Sequence, residues 1–334
     1  MTSSARSRAD AAASLHDIQA PVRDRLDRVT GELLRIVAAE LGLVREVNAH
    51  LAGRKGKMFR PTLVLLASAA EERPEPRAVP IAAALETLHL ASLVHDDAVD
   101  HSVLRRGMPT VNALFSHQVA VLMGDFLYAR ALTELVRLND WDVAGIFADA
   151  STQITLGEMR QLGALDALAF SEADYDQLIR AKTASLFRAA CELGALCGAA
   201  AHRGALAQYG ERLGMAFQIV DDLLDYTEDA EVTGKPSGLD LREHKVTLPL
   251  IAALPEFDAA ARRRVEALFA TPDPEDGQVA EVVALVARHG GLDYARRRGE
   301  ELGREAEAAL AALPETAARA SLADAVGYVL DRRA

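Results

Sequence analysis

The sequence predicts an all-α protein, and three observations carry that expectation. Aromatic residues make up 5% of the 334-residue chain, while alanine and leucine, both strong helix formers, dominate it. Apolar residues recur at three- and four-residue steps through most of its length. No segment shows strict alternation bounded by hairpin turns.

The first periodic run is Val22–Ala39, where Val22, Leu26, Val29, Leu33, Leu34 and Val37 fall between charges. The spacing returns at Thr62–Ala70, Ile81–Val99, Val119–Arg137, Ser151–Gln161, Tyr175–Ala200, Leu206–Tyr226 and Thr247–Leu254, and continues to Val329. The breaks are short: Arg73-Pro74-Glu75-Pro76, Gly107-Met108-Pro109, Gly234-Lys235-Pro236-Ser237-Gly238 and Pro272-Asp273-Pro274. None is long enough for an interdomain linker. One all-α domain over residues 15–334 is expected, behind a flexible tail of residues 1–14.

The charge balance excludes some functions. With 37 basic and 49 acidic residues the net charge is −12, the opposite of what a nucleic-acid surface needs. Cys191 and Cys197 cannot build a disulfide framework and read as buried small hydrophobes in a reducing compartment. The longest apolar stretch, Ile81–Val94, contains Glu86 and His89 and reads as too short to cross a bilayer. Met1–Ser14 has arginines but no apolar signal core. The expectation is a soluble, cytoplasmic protein without a transmembrane segment.

One acidic pattern occurs twice: Asp96-Asp97-Ala98-Val99-Asp100 and Asp221-Asp222-Leu223-Leu224-Asp225. Carboxylates at i and i+4 share a helix face and repel, and apolar neighbours such as Val94 and Ile219 raise the cost of charge. Two solvated acidic faces are the alternative, but the repetition on apolar helices favours a divalent cation. Oxygen ligands on one face bridge Mg²⁺ to a phosphate-bearing ligand. Basic residues gather near both motifs: Lys55, Lys57 and Arg60 before the first, Arg105 and Arg106 after it, and Lys235 and Lys245 after the second. Arginine forks and lysine point charges suit diphosphate oxygens, and a Gly/Pro/Ser loop around Lys235 suits closure over an anion.

With these residues in hand, the sequence resembles the trans-type polyprenyl diphosphate synthases, isoprenoid chain-elongating prenyltransferases. The resemblance runs from about Val22 onward through seven blocks in the family's order. They are Gly56-Lys57-Met58-Phe59-Arg60-Pro61; Leu88-His89 with Ser92-Leu93-Val94-His95 and the first aspartate motif; and Leu104-Arg105-Arg106-Gly107-Met108-Pro109-Thr110. Gly124-Asp125-Phe126-Leu127, Lys182-Thr183-Ala184-Ser185-Leu186, and Gly214-Met215-Ala216-Phe217-Gln218 with the second aspartate motif come next. Gly234-Lys235 with Lys245-Val246-Thr247-Leu248-Pro249 is the last.

The resemblance implies a helical bundle of the isoprenoid synthase type around a deep central cavity. It implies that Asp96, Asp97, Asp100, Asp221, Asp222 and Asp225 surround about three Mg²⁺ ions. Arg105, Lys182 and Lys235 then hold the allylic diphosphate, while Lys57, Arg60, His89 and Arg106 hold isopentenyl diphosphate. Thr183 and Gln218 turn oxygens toward the allylic cation, with Lys182 beside them as the third catalytic residue. A homodimer is common in the family. Three residues depart from the pattern: Lys55 for a glycine, His101 for an acidic or small polar residue, and the bulky Phe59 for an aliphatic one. Large aromatics four and five positions before the first motif close the cavity in short-chain members. Ser92 and Ala91 stand there, with Leu88 one turn further up. A long product of about six to ten isoprene units is therefore expected, with geranylgeranyl diphosphate as runner-up.

Other classes fit less of the chain. An HD-type phosphohydrolase would use His95-Asp96 with His117 and His202 but leaves the second motif and Lys182-Thr183 unexplained. A terpene cyclase would not need the isopentenyl site, and a regulatory subunit of a heteromeric synthase would not need six aspartates.

Overall fold

The computed structural model describes residues 13–53, 56–105, 107–163, 167–227 and 238–332, and these are helical almost throughout. Ser14 opens α1 (Leu15–Gln19) with a capping box: its side chain accepts from the Asp17 amide, and the Asp17 side chain accepts from the Ser14 amide. A 3₁₀ turn containing Pro21 leads into α2 (Arg23–Val37), whose Leu26, Val29 and Ile36 face inward. α3 (Gly42–Ala52) follows, a helix the apolar spacing does not single out. α4 (Phe59–Ser68) is buried at every position except Arg60.

α5 (Ala78–Val99) is apolar on nearly every face, as a helix surrounded by other helices requires. Its 22 residues are long and apolar enough to cross a membrane, which corrects the expectation that this stretch is too short. It is a core helix here, with 61% of its most apolar window buried inside the fold. After it β1 (Leu104–Arg105) and β2 (Met108–Pro109) pair antiparallel, Leu104 opposite Pro109, in a hairpin too short to show alternation in sequence. Thr110 caps α6 (Val111–Leu114) and Ser116 caps α7 (His117–Arg137), which lies along α5 and touches α2. α8 (Trp141–Gly163) follows.

The single periodic run over Tyr175–Ala200 folds as α9 (Glu172–Ile179), a π-turn (Arg180–Ala184) and α10 (Ser185–Leu196). In the π-turn the Ser185 amide donates to the Arg180 carbonyl, five residues back. α11 (Arg203–Thr227) packs against both the π-turn and α10. Two glycines make room for the widened turn. A Cβ on Gly157 of α8 would lie 2.9 Å from the Lys182 nitrogen, and one on Gly214 of α11 would lie 2.7 Å from the Ala184 Cα.

The remaining elements are α12 (Leu239–Arg242), α13 (Leu248–Ala253), α14 (Ala259–Ala270), α15 (Asp276–Arg288), α16 (Gly291–Ala309) and α17 (Ala317–Leu330). α16 lies along α11, and α17 touches α16, α4 and α1. The last helices thus close against the first, and one apolar cluster runs from Ile18 to Val329. A smaller cluster around Val47, Ala91, Val94, Met123 and Leu127 joins α3, α5 and α7. Cys191 and Cys197 are free and buried. Most of the expected N-terminal tail, residues 1–12, lies outside the described residues.

Candidate active site

The first aspartate motif occupies the last turn of α5, with Asp100 as its C-cap. Asp97 is 1% exposed, and its Oδ1 accepts from Arg105 Nε at 2.6 Å. The turn after α5 makes that contact possible: His101 takes a left-handed φ of 50° and the Ser102 amide donates to the Asp97 carbonyl at 3.0 Å, so the chain folds back onto the helix it has just left. Burial pushes the Asp96 carboxyl up to about 7, and the Glu158 charge adds to it while Lys182 and Arg105 oppose. Lys182, on the π-turn, reaches Glu158 Oε1 at 2.7 Å and Gln161 Oε1 at 3.0 Å, both on α8. Asp96, Arg105 and Lys182 therefore share one neighbourhood.

The second motif occupies the last turns of α11. Asp222 is 5% exposed and each of its oxygens accepts one side-chain hydrogen bond. Tyr175 Oη donates to Oδ2 at 2.5 Å, and Gln218 Nε2 donates to Oδ1 at 2.8 Å. Thr183 Oγ1 donates in turn to Gln218 Oε1 at 2.7 Å. Burial pushes Asp222 up to about 7 against those two hydrogen bonds, with Asp221 and Asp225 adding to the rise. Asp225 accepts from the Leu239 and Asp240 amides at 3.0 Å each, fastening the start of α12 to α11. Burial raises Asp225 as well, and it raises the neighbouring Asp240 far above the carboxylate range. Asp221 is more open and stands 3.4 Å from Arg332 Nη1.

Lys245 joins the two halves. Its Nζ lies 3.8 Å from Asp100 Oδ2, and its charge also acts on Asp240, which feels Asp222 and Asp225. The two aspartate motifs therefore face one shared polar site. Carboxylates raised by burial and by one another are a hard-oxygen donor set that a divalent cation would relieve. Among the described residues, no group of three or more His, Cys, Asp or Glu side chains stands close enough to hold a metal by itself. Oxygens from a bound ligand would have to complete the coordination.

The remaining site residues are distributed as follows. Arg60 on α4 meets His89 on α5, Nη1 to Nε2 at 2.9 Å, and its guanidinium lies 4.9 Å from the Phe187 ring centroid. Lys57 is exposed just ahead of α4. Leu88 and Ala91 are buried, while Ser92 is half-buried and donates its hydroxyl to the His89 carbonyl. Lys55, Arg106 and Lys235 lie outside the described residues. Phe59 packs with Phe187 and Tyr328, centroids 5.9 and 5.8 Å apart, so its bulk fills an aromatic cluster. His101 sits against the His117 ring at 5.6 Å. Four residues that the sequence does not single out are Tyr175, Glu158, Gln161 and Arg332. Their partners come from distant helices, and no local spacing marks them.

A helical bundle with paired aspartate motifs and convergent cations defines an enzyme that handles a diphosphate. Residues 42–286 match the sequence model of the family described as Polyprenyl synthetase. An all-trans-nonaprenyl-diphosphate synthase (geranyl-diphosphate specific) of Rhodobacter capsulatus is 40% identical over 95% of this chain and 97% of its own. The octaprenyl diphosphate synthase of Escherichia coli is 36% identical over 88% of this chain and 91% of its own. A polyprenyl synthase of Caulobacter crescentus, solved with calcium and isoprenyl diphosphate, superposes with a TM-score of 0.91 at 32% identity, covering 97% of this chain and 99% of its own. The chain belongs to the polyprenyl synthetase family and is a trans-prenyltransferase of the all-α isoprenoid synthase fold.

Proposed function

We propose that this chain condenses isopentenyl diphosphate head to tail with an allylic diphosphate, using Mg²⁺, to give a long trans-polyprenyl diphosphate. The observation that carries the reading is the pair of aspartate motifs facing one site that also gathers Arg105, Lys182 and Lys245. Bound there, about three Mg²⁺ ions would neutralise the departing diphosphate and ease ionisation of its C–O bond. Asp100 and Asp221, the exposed aspartates, would hold metal most directly, with the half-buried Asp96 and Asp225 beside them and the buried Asp97 and Asp222 behind. Arg105, Lys182 and Lys235 orient the allylic diphosphate. Lys57, Arg60, His89 and Arg106 orient isopentenyl diphosphate, whose alkene attacks the allylic cation; the tertiary cation so formed loses a proton to the released diphosphate, and the new double bond forms. Thr183 and Gln218 present oxygens to that cation, and no side-chain nucleophile is required.

Relatives named as octaprenyl and nonaprenyl diphosphate synthases support a product of about six to ten isoprene units, as do the small side chains of Ala91 and Ser92. A second copy of the chain fits an apolar stripe along α7 and α8, where Leu122, Val136, Trp141, Met159 and Leu162 are 64–86% exposed. Free, buried thiols suit a reducing, cytoplasmic compartment. Incubation with labelled isopentenyl diphosphate, an allylic primer and Mg²⁺ tests the reaction, with products dephosphorylated and separated by reverse-phase chromatography. Released phosphate without chain extension would refute it, and a requirement for a second, different subunit would replace the homodimer.

A further inference from the structure

Asp222 has an environment unlike that of Asp221 beside it. It is 5% exposed, against 52% for the Asp221 side chain, and it touches two neutral donors instead of a cation. One donor is Tyr175, itself 1% exposed, and the other is Gln218, one helical turn before Asp222 on the same face of α11. Both Asp222 oxygens accept, Oδ2 from the Tyr175 hydroxyl and Oδ1 from Gln218 Nε2, so the Gln218 amide turns its NH₂ toward Asp222. That choice fixes the other end, and Oε1 points toward Thr183 and accepts its hydroxyl. A carbonyl oxygen has two lone pairs, and Thr183 takes one.

We propose that Tyr175 and Asp222 are positioning residues that lock the Gln218 amide oxygen-first toward the reacting allylic carbon. The proposal rests on the prenyl-transfer reading given above. A carbon becoming positive is stabilised by a fixed carbonyl oxygen and opposed by the NH₂ end of the same amide. A free glutamine would offer either end. The hydroxyl of Tyr175 holds Asp222 still, Asp222 selects the amide face, and Gln218 delivers the dipole. Four side chains from α9, the π-turn and α11 thereby act as one unit, and Asp222 contributes through Gln218 instead of by ligating metal.

Asp222→Asn tests the lock directly, because an asparagine of the same shape offers an NH₂ where the carboxylate offered only oxygens. Turnover should fall about a hundredfold in Asp222→Asn and about tenfold in Tyr175→Phe, with the KM values for both diphosphates nearly unchanged. Mn²⁺ binding to the protein loaded with a non-hydrolysable diphosphate, read by electron paramagnetic resonance, should match wild type in both variants and weaken in Asp221→Asn. In a Gln218→Ala background, Tyr175→Phe should have no further effect on turnover. Weakened Mn²⁺ binding in Asp222→Asn, or an undiminished Tyr175→Phe effect without Gln218, would overturn the proposal. Wild-type protein that extends no chain would instead overturn the reading on which it rests.

Discussion

The ammonium of Lys245 lies 3.8 Å from Asp100 Oδ2, so a lysine that follows the second aspartate motif in sequence meets the last carboxylate of the first. Burial works to lower its pKa, but the hydrogen bond that it donates to Glu243 and the charges of Glu243, Asp100 and Asp240 outweigh burial and raise it. Lys245→Met should raise the KM for the allylic diphosphate at least about tenfold. It should barely move thermal unfolding, because the Lys245 and Asp100 side chains are 31% and 34% exposed. Steady-state kinetics and a melting curve check both halves.

Asp97→Asn and Asp221→Asn should each reduce turnover at least about a hundredfold, yet they should differ in stability. Asparagine at 97 breaks a buried charged hydrogen bond to Arg105 and should cost about 3 kcal/mol. Asparagine at 221 touches an open pair with Arg332 and should stay within about 0.5 kcal/mol of wild type. Denaturant titration distinguishes the two, and equal losses would contradict the assigned environments.

Product length should respond more cleanly at Ser92 than at Ala91. Ala91 is 2% exposed within the cluster of Met123 and Leu127, so Ala91→Phe overpacks that core and should cost about 1–3 kcal/mol. Ser92 retains accessible surface one residue further on. Ser92→Phe should shift products to shorter chains with turnover retained, as chromatography of the dephosphorylated alcohols would show. An unchanged distribution would place the floor of the cavity elsewhere.

Cys191 and Cys197 should be inert in the native protein. Both are fully buried; burial pushes the Cys191 thiol well up, and it pushes Cys197 up to about 12. A chromogenic disulfide should find no thiol in native protein and both after denaturation. Reaction on mixing with native protein would disprove the burial.

The aspartate motifs were legible because their spacing puts charge on one face of an apolar helix, a conflict that sequence alone exposes. The long helices were legible from their period, but α3 was not, and neither was the turn at His101 that brings Arg105 to Asp97. Tyr175 was invisible for a different reason: it stands 47 residues from Asp222, and only the packing of α9 on α11 joins them. Phe59 reads as a departure in sequence and becomes ordinary once Phe187 and Tyr328 surround it.

Between Ile179 and Ser185 the chain carries one residue more than a regular helix would need. Deleting Ala181 would let α9 run straight into α10, at the cost of rotating one against the other by about 100° and shifting it by about 1.5 Å. Tyr175 and Asp222 would then part, and Lys182 and Thr183 would turn away from α8 and α11. Almost no helix would be lost. A single-codon deletion in this stretch would pass a circular dichroism spectrum and abolish turnover, which makes the length of the bulge, as much as the identity of its residues, a requirement for catalysis.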